Sequence, residues 1–230
     1  MVAFARVAAE MARLTWMRGL EEALEAAGLG PVAGVDEVGR GCLAGPVTVA
    51  AYVPRPGRLV PGVDDSKKLS AEMRANLAPR IRDAGLAFAV VSVDAAEIDR
   101  SDILAATRRA MTLALRELSV TIGSVLTDAV PLSAEQLPGA RCVSTVKADS
   151  LSYSVACASI LAKVHRDDLM RDLAIQVARD GEGLSKFVTF EVAGAESWMA
   201  ARTIALACAN SPILKAAIAG GPVTVTLRLS

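Results

Sequence analysis

The sequence is poor in aromatic residues and histidine, and it has no excess of charge of either sign. Aromatic residues make up 3% of the 230 residues, there is one histidine, and 25 basic residues balance 25 acidic ones. Single-strand binders stack bases on aromatic side chains, and bulk electrostatic binding of nucleic acid needs a basic field. Both classes are therefore disfavoured, whereas an enzyme with a small metal-centred site is compatible with this composition.

Metal-binding cysteine pairs, targeting segments and membrane spans are also missing. The four cysteines are scattered without a CxxC pair, which indicates neither a zinc site nor a disulfide framework. Glutamates interrupt the Ala-rich N-terminal segment, so it lacks the apolar core of a signal peptide. No uncharged apolar run reaches transmembrane length. We expect a soluble, cytoplasmic, monomeric protein that binds no membrane.

Predicted strands and helices alternate after an initial amphipathic helix over about residues 3–27. Two β-rich runs, Val32–Asp36 and Val47–Val53, suggest a hairpin. The later elements expected from periodicity and capping are a helix capped by Ser70, a strand at Leu86–Val93, a helix capped by Ser101 or Asp102, strands at Ser124–Thr127 and Cys142–Val146, and a long helix at Tyr153–Arg179. This order predicts an α/β domain with a mixed central sheet flanked by helices.

The composition changes after about Gly181. Only six residues from Ser185 to Ser230 are charged. One β-like run, FVTFEV, precedes an Ala-rich helix, and the sequence ends in PVTVTLRL. We therefore divide the chain into an N-terminal helical extension (1–30), a catalytic domain (31–180) and an atypical C-terminal segment (181–230).

The stretch GVDEVGRGCLAG at residues 34–45 allows two interpretations. Residues 39–44 match the GxGxxA phosphate loop of dinucleotide-binding folds, but that loop needs a helix directly after it. Here Gly45-Pro46 and the β-branched run VTVAAYV follow, and two carboxylates precede the loop, where they would repel a phosphate. The dinucleotide interpretation is therefore disfavoured. His165 lies in the long helix, and without a G-x-S-x-G elbow it does not indicate a Ser-His-Asp hydrolase.

The other interpretation is a metal site built from carboxylates at strand ends. Asp36 and Glu37 end one apolar strand, Asp128 ends another, and Asp149 follows a third. Such positions can converge over one edge of a sheet, and hard cations such as Mg²⁺ and Mn²⁺ prefer oxygen ligands. Each residue alone has a simpler explanation, since Asp128 suits a turn and Asp149 a helix cap. On the pattern alone, the two explanations stay open.

Four segments together resemble type 2 ribonuclease H, ribonuclease HII. They are GVDEVGRGCLAGPVTVAAYV, DDSKKLS, EIDRSDILAATRRAM and VKADSLSYSVACASILAKVHRDDLM, in the order of that family and within about residues 32–172. The resemblance implies a ribonuclease H-like fold. It also implies an endonuclease that cleaves the RNA strand of RNA–DNA hybrids and nicks duplex DNA at embedded ribonucleotides, leaving 3′-hydroxyl and 5′-phosphate ends. Such an enzyme would act in replication and in ribonucleotide excision repair.

The resemblance also implies roles for individual residues. The four acidic ligands of two Mg²⁺ or Mn²⁺ ions, which are the catalytic residues of a two-metal hydrolysis, would be Asp36, Glu37, Asp128 and Asp149. The element that senses the 2′-hydroxyl at the RNA–DNA junction would be Gly39-Arg40-Gly41, because glycines expose backbone groups to a hydroxyl that only RNA carries. The residues near the substrate backbone would be Ser66, Lys67 and Lys147.

The C-terminal part departs from the family pattern. A motif resembling HKGYGT, whose tyrosine helps to recognise the junction, is absent, since no tyrosine follows Tyr153. Phe187 and Phe190 are the aromatic substitutes to consider. Divergence, a chimaera or an altered reading frame after about Asp172 would each explain the change. The alternative to an active enzyme is therefore an impaired or misfolded relative that at most binds hybrid duplex without cleaving it.

Overall fold

The computed structural model describes residues 2–137, 139–180, 188–212, 214 and 224–228. The chain divides into two units, residues 1–170 and 171–230. The elements of the first unit are α1 (Val2–Ala26), β1 (Val32–Val38), β2 (Val47–Pro54), a 3-10 turn (Ser66–Lys68), α2 (Ala71–Ala84), β3 (Gly85–Val93), α3 (Ala95–Arg100), α4 (Ile103–Arg116), β4 (Ser124–Asp128), β5 (Arg141–Thr145) and α5 (Ala148–Leu151), followed by α6 (Tyr153–Arg179), which continues past residue 170.

The central sheet of the first unit is mixed, in the order β3-β2-β1-β4-β5. The strands β1, β2 and β3 are antiparallel neighbours, which confirms the predicted hairpin. The strands β1, β4 and β5 run parallel, so their carboxyl ends meet at one edge of the sheet. The predicted α/β class with a mixed sheet is therefore confirmed.

The end of β1 differs from the prediction. We placed it at Asp36, but Glu37 and Val38 still pair with Val49 and Thr48 of β2. The parallel pairing with β4 stops earlier, at Val35 opposite Thr127. β1 therefore stops pairing with β4 near the predicted strand end, but it continues to pair with β2 as far as Val38.

Alternating side chains cover both faces of the sheet with separate apolar cores. On one face, odd-numbered residues of β2 such as Val49 and Val53 pack with Ala110 and Met111 of α4. On the other face, Tyr52 packs with residues of α1, α2 and α6. Gly34 allows the closest approach, since a Cβ there would lie 2.3 Å from the backbone of Ser154. The amino end of α6 therefore rests directly on β1.

Helix α1 is part of the packing of the first unit. Leu14 and Met17 are fully buried in the core shared with α2 and α6. One carboxylate oxygen of Glu21, also fully buried, accepts hydrogen bonds of 2.7 Å from the Ser152 hydroxyl, the Ser154 hydroxyl and the Ser154 amide. A carboxylate at the start of a helix satisfies free amides and interacts favourably with the helix dipole. Glu21 therefore joins α1 to the start of α6.

Helix ends are capped largely where the sequence predicted. The Ser70 hydroxyl accepts the Met73 amide at the start of α2. Of the two residues considered for α4, Asp102 is the cap, and its carboxylate accepts the amides of Leu104 and Ala105 at 2.8 Å. The short helix α3, which begins after Asp94, was not predicted.

The second unit contains two parallel strands, β6 (Thr189–Ala193) and β7 (Thr224–Arg228), and a helix between them, α7 (Trp198–Asn210). The strand β6 and the helix α7 correspond to the β-like run and the Ala-rich helix expected from the sequence, whereas β7 was not predicted. Phe190 lies in β6 and is half-buried, whereas Phe187 lies outside the described residues. No helix in the described ranges is both long and apolar enough to cross a membrane. The division into 1–30, 31–180 and 181–230 remains a prediction.

Candidate active site

Asp36 is a buried carboxylate at the carboxyl edge of the sheet. It follows the last β1–β4 pair, and its side chain is almost completely buried on the α6 side. Burial is the largest cause of a rise in the pKa of Asp36 to about 7. The neighbouring carboxylates of Glu37 and Asp128 act in the same direction, while a hydrogen bond with Ser159 opposes the rise. A buried carboxylate beside two others favours binding of a proton or a cation.

Burial and an ion pair with Arg40 shift the pKa of Glu37 in opposite directions. Arg40 donates to one carboxylate oxygen at 3.2 Å and lowers the Glu37 pKa, but burial outweighs this and the pKa is raised, with Asp128 acting in the same direction. The other carboxylate oxygen, Oε2, is buried and accepts no hydrogen bond. Buried polar atoms are normally paired, so this oxygen is available to a ligand.

Asp128 and Asp149 lie at the ends of the next two parallel strands. Asp128 is the last residue of β4, and its Oδ1 accepts the Ala148 amide at 3.2 Å, which joins the end of β4 to α5. Asp149 is the second residue of α5 and is buried. Ala129 and Lys147, next to this pair in sequence, are left-handed, with φ of 55° and 61°. Non-glycine residues rarely adopt this conformation, and it is concentrated at functional sites.

The DSKKLS segment faces Asp149. The Lys67 Nζ donates to Asp149 Oδ2 at 3.1 Å, and this hydrogen bond raises the Lys67 pKa. The Lys67 side chain nevertheless remains 76% exposed, so it can also reach a ligand in solution. Ser66 is buried, and its hydroxyl lies 2.8 Å from that of Ser159 on α6. Lys147 is exposed.

A pocket of about 180 Å³ opens over the buried carboxylates. Its lining combines two acidic, three basic and two hydroxyl side chains with one valine: Asp36, Glu37, Lys67, Arg74, Lys163, Ser66, Ser159 and Val38. Asp128 and Asp149 do not line this pocket, and the exposed residues Arg40 and Gly41 lie outside its lining. Four of the predicted site residues, Asp36, Glu37, Ser66 and Lys67, therefore share one pocket.

The sequence did not predict the contribution of α6. Ser159, Lys163 and Arg166 of this helix face the site or its loop, at spacings of four and three residues. Arg166 donates to the carbonyl oxygens of Ala44 and Pro46, at 2.8 and 2.9 Å. The helical spacing of these polar residues is the only sequence signal for this stripe, and the same spacing is typical of a solvated face.

The donor set suits a hard divalent cation, although the side chains do not form a preformed cage. In the described ranges, no group of three or more His, Cys, Asp or Glu side chains is arranged to hold a metal ion. The reason is visible at two of the four carboxylates, since Glu37 is paired with Arg40 and Asp149 with Lys67. The unpaired Glu37 oxygen and the raised pKa values of Asp36 and Glu37 fit a cation bound by oxygen ligands.

Comparison with known families matches residues 33–185 to the family model described as Ribonuclease HII. A ribonuclease HII from Ruminiclostridium cellulolyticum is 45% identical over 166 residues, which are 71% of this chain and 63% of that protein. The match thus spans less than two thirds of that relative's length. The family match extends beyond Asp172, where we expected the resemblance to end.

Two solved structures share the fold. Ribonuclease H2 from Pyrococcus horikoshii has a TM-score of 0.58 and 27% identity, covering 66% of this chain and 79% of that one. Bst-RNase HIII in complex with Mn²⁺ has a TM-score of 0.52 and 27% identity, covering 67% of this chain and 58% of that one. The predicted ribonuclease H-like fold with a mixed central sheet is therefore confirmed.

Proposed function

The chain belongs to the ribonuclease HII family of endoribonucleases, and from this premise we propose that it hydrolyses the RNA strand of RNA–DNA hybrids and nicks duplex DNA at embedded ribonucleotides. The observation that supports the proposal is the placement of four carboxylates at or just after the carboxyl ends of three parallel strands: Asp36 and Glu37 in β1, Asp128 at the end of β4 and Asp149 in α5 after β5. In the cell, this activity would serve replication and ribonucleotide excision repair in the cytoplasm, and we expect the enzyme to act as a monomer.

The four carboxylates would hold two divalent ions, Mg²⁺ or Mn²⁺. When bound, such ions lower the pKa of water and stabilise charge that develops on the leaving oxygen. Burial and mutual repulsion of Asp36 and Glu37 support this assignment, because a cation relieves both costs. The structure of Bst-RNase HIII in complex with Mn²⁺ also supports a divalent metal in this fold.

The basic residues at the rim would bind the substrate backbone. Lys67 has an exposed side chain that already meets a carboxylate at the site, so it is placed to bind a phosphate next to the ions. Ser66 fixes the local turn through its contact with Ser159. Lys147 would contact the backbone on the α5 side.

The loop at Gly39-Arg40-Gly41 would distinguish RNA from DNA. Arg40 and Gly41 are exposed, and the loop begins two residues after Glu37, so its main-chain groups would be able to approach a 2′-hydroxyl beside the bound ions. Gly39 has φ of 109°, a conformation that side chains rarely adopt, and a Cβ there would lie 2.6 Å from the Arg166 guanidinium. Glycine at this position therefore allows the loop to follow its path close to α6.

The proposal is tested on a DNA duplex with a single ribonucleotide in Mg²⁺ or Mn²⁺. We expect one nick with 3′-hydroxyl and 5′-phosphate ends. Asp128→Asn should lower the rate by about 10³-fold or more, because metal coordination contributes several kcal/mol to the transition state. Asp99→Asn is the matched control, since Asp99 is an exposed aspartate on α3.

Two outcomes would contradict the proposal. The first is a folded, soluble protein that leaves the duplex intact in both metals. Binding without cleavage while all four carboxylates are present would favour the impaired relative considered from the sequence. The second is equal cleavage in excess EDTA, which would exclude the divalent-metal assignment.

A further inference from the structure

Arg166 is a buried arginine whose hydrogen bonds are made to the backbone of the glycine-rich loop. It is 5% exposed, and it lies on α6, more than a hundred residues after the loop in sequence. Its Nη2 donates to Ala44 O at 2.8 Å and its Nε donates to Pro46 O at 2.9 Å. Burying a guanidinium is unfavourable unless its donors are satisfied, so the loop carbonyls contribute to the stability of this arrangement.

The loop is shaped around the Arg166 side chain. A Cβ at Gly39 would lie 2.6 Å from Arg166 Nε, and a Cβ at Gly45 would lie 3.3 Å from Arg166 Nη2 and 2.3 Å from Met170 Sδ. Both glycines have positive φ, 109° and 85°. The first and last glycines of the loop therefore lie against α6, next to the carbonyl contacts at Ala44 and Pro46.

The part of the loop between these two contacts is exposed to solvent. Arg40, Gly41 and Cys42 are exposed, and the Leu43 side chain is fully exposed. The turn is closed by one hydrogen bond from the Cys42 amide to Gly39 O, 3.2 Å long. A short exposed turn with one internal hydrogen bond needs support from the body of the protein to keep a single conformation.

We propose that Arg166 is a positioning residue for ribonucleotide recognition: it braces the loop of residues 39–46 against α6, so that Gly39-Arg40-Gly41 is presented in one conformation to the 2′-hydroxyl. The inference rests on the proposed function for the meaning of the loop, whereas the brace itself rests on the contacts of Arg166 alone. Arg166 acts through the loop and touches neither the carboxylates nor the substrate.

The test compares Arg166→Met, Arg166→Lys and Arg18→Met in the full-length chain. Methionine removes the donors at similar length, and lysine keeps the charge but cannot donate to both carbonyls in the same geometry. Arg18 is the matched control, because it is also a buried arginine of the first unit but pairs with Glu25 on its own helix. Arg166→Lys keeps the test open if Arg166→Met does not fold.

The first readout is amide hydrogen exchange at residues 40–45, with the Cys42 amide as the direct reporter of the turn. We expect Arg166→Met to speed exchange there by about tenfold or more, the change expected on losing hydrogen bonds from a charged donor. Arg166→Lys should give a smaller increase, and Arg18→Met should exchange as the wild type does in this loop. Unchanged exchange in both Arg166 variants would overturn the brace.

The second readout is discrimination at the binding step, measured in an Asp128→Asn background to prevent cleavage. The ratio of Kd for an all-DNA duplex to Kd for the same duplex with one ribonucleotide should fall toward one in Arg166→Met and less in Arg166→Lys. General destabilisation would weaken binding to both duplexes alike and leave the ratio unchanged, as we expect for Arg18→Met. Faster loop exchange with an unchanged ratio would overturn the role in recognition. Failure of the proposed function appears separately, as a wild-type protein that does not nick.

Discussion

The two units of the chain differ in where their apolar side chains lie. In the first unit, large residues such as Leu126 and Leu161 are fully buried between a five-stranded sheet and its helices. In the second, none of the residues of α7 is buried, and Trp198 and Met199 are largely exposed. Two-stranded sheets such as β6–β7 are marginally stable by themselves. The first unit, which contains the candidate site, therefore also contains the apolar core that stabilises it.

The largest expected difference between the units is in the loss of stability when a leucine is shortened to alanine. Leu161→Ala in α6 should lower the free energy of unfolding by about 2–5 kcal/mol, because it leaves a cavity in a packed core. Leu206→Ala in α7 should change it by less than about 0.5 kcal/mol, as expected for a partly exposed side chain away from any core. Leu206 is 46% exposed, whereas Leu161 is 0% exposed.

The chain offers a direct measurement, because its two tryptophans, Trp16 and Trp198, lie one in each unit. Urea titration followed by fluorescence reports the unfolding of the first unit through Trp16 in Trp198→Phe protein, and of the second unit through Trp198 in Trp16→Phe protein. Leu161→Ala is measured in the first background and Leu206→Ala in the second. Equal losses for the two leucine variants would show that the second unit has a core of its own and would contradict the comparison.

A smaller effect concerns pH and the carboxylates of the first unit. Folded Asp36 keeps its proton up to about pH 7, whereas an aspartate in an unfolded chain loses it near pH 4. The folded state therefore binds more protons between these values, and the free energy of unfolding falls as pH rises from about 4 to 7, by up to about 4 kcal/mol. The raised pKa of Glu37 acts in the same direction.

Chemical denaturation at several pH values without divalent ions measures this effect. Asp36→Asn should flatten the decline, and Mg²⁺ should flatten it in the wild type, since a bound cation replaces the proton as the compensating charge. Glu191→Gln, which removes an exposed carboxylate of β6, is the matched control from the second unit. If the free energy of unfolding fell as steeply with pH in Asp36→Asn as in Glu191→Gln, Asp36 would not be the group that causes the pH dependence.

The smallest effect compares two basic side chains at the surface. Lys67→Met removes an ion pair with Asp149, and Arg202→Met removes a cation–π contact with Trp198 in α7. Each should change the free energy of unfolding by less than about 1 kcal/mol. Lys67→Met alone should raise the KM for a ribonucleotide-containing duplex, by about fivefold, the equivalent of 1 kcal/mol. Equal KM values for both variants would remove Lys67 from the proposed phosphate contact.

Strand ends in the sequence predicted the edge of the sheet at which Asp36 and Asp128 lie, but they left open whether these residues form a metal site or a turn. Asp128 follows an apolar strand, and parallel strands place their carboxyl ends at one edge, so its approach to Asp36 followed from local pattern. The extension of β1 through Glu37 was missed, because it depends on pairing with β2 and on no feature of Glu37 itself.

Contacts that join distant segments were beyond prediction. The Lys67–Asp149 pair links residues 82 positions apart, and Arg166 reaches Pro46 across 120 positions. A lysine in a polar turn and an arginine in a helix both read as solvated residues in sequence. Only the packing of α6 against β1 shows that Arg166 is buried and that its donors face the glycine-rich loop.

The hydrogen bonds of the Glu21 carboxylate can form only late in synthesis of the chain. Its partner, the Ser154 amide, lies 133 positions later in the chain. Since ribosomes add about 5–20 residues per second, roughly 7 to 27 seconds pass between the synthesis of the two residues. Throughout that interval the Glu21 carboxylate lacks its Ser152 and Ser154 donors. The start of α6, which lies just after Asp149 in sequence, can therefore be fixed in place by Glu21 only after α6 has been synthesised and has packed against α1.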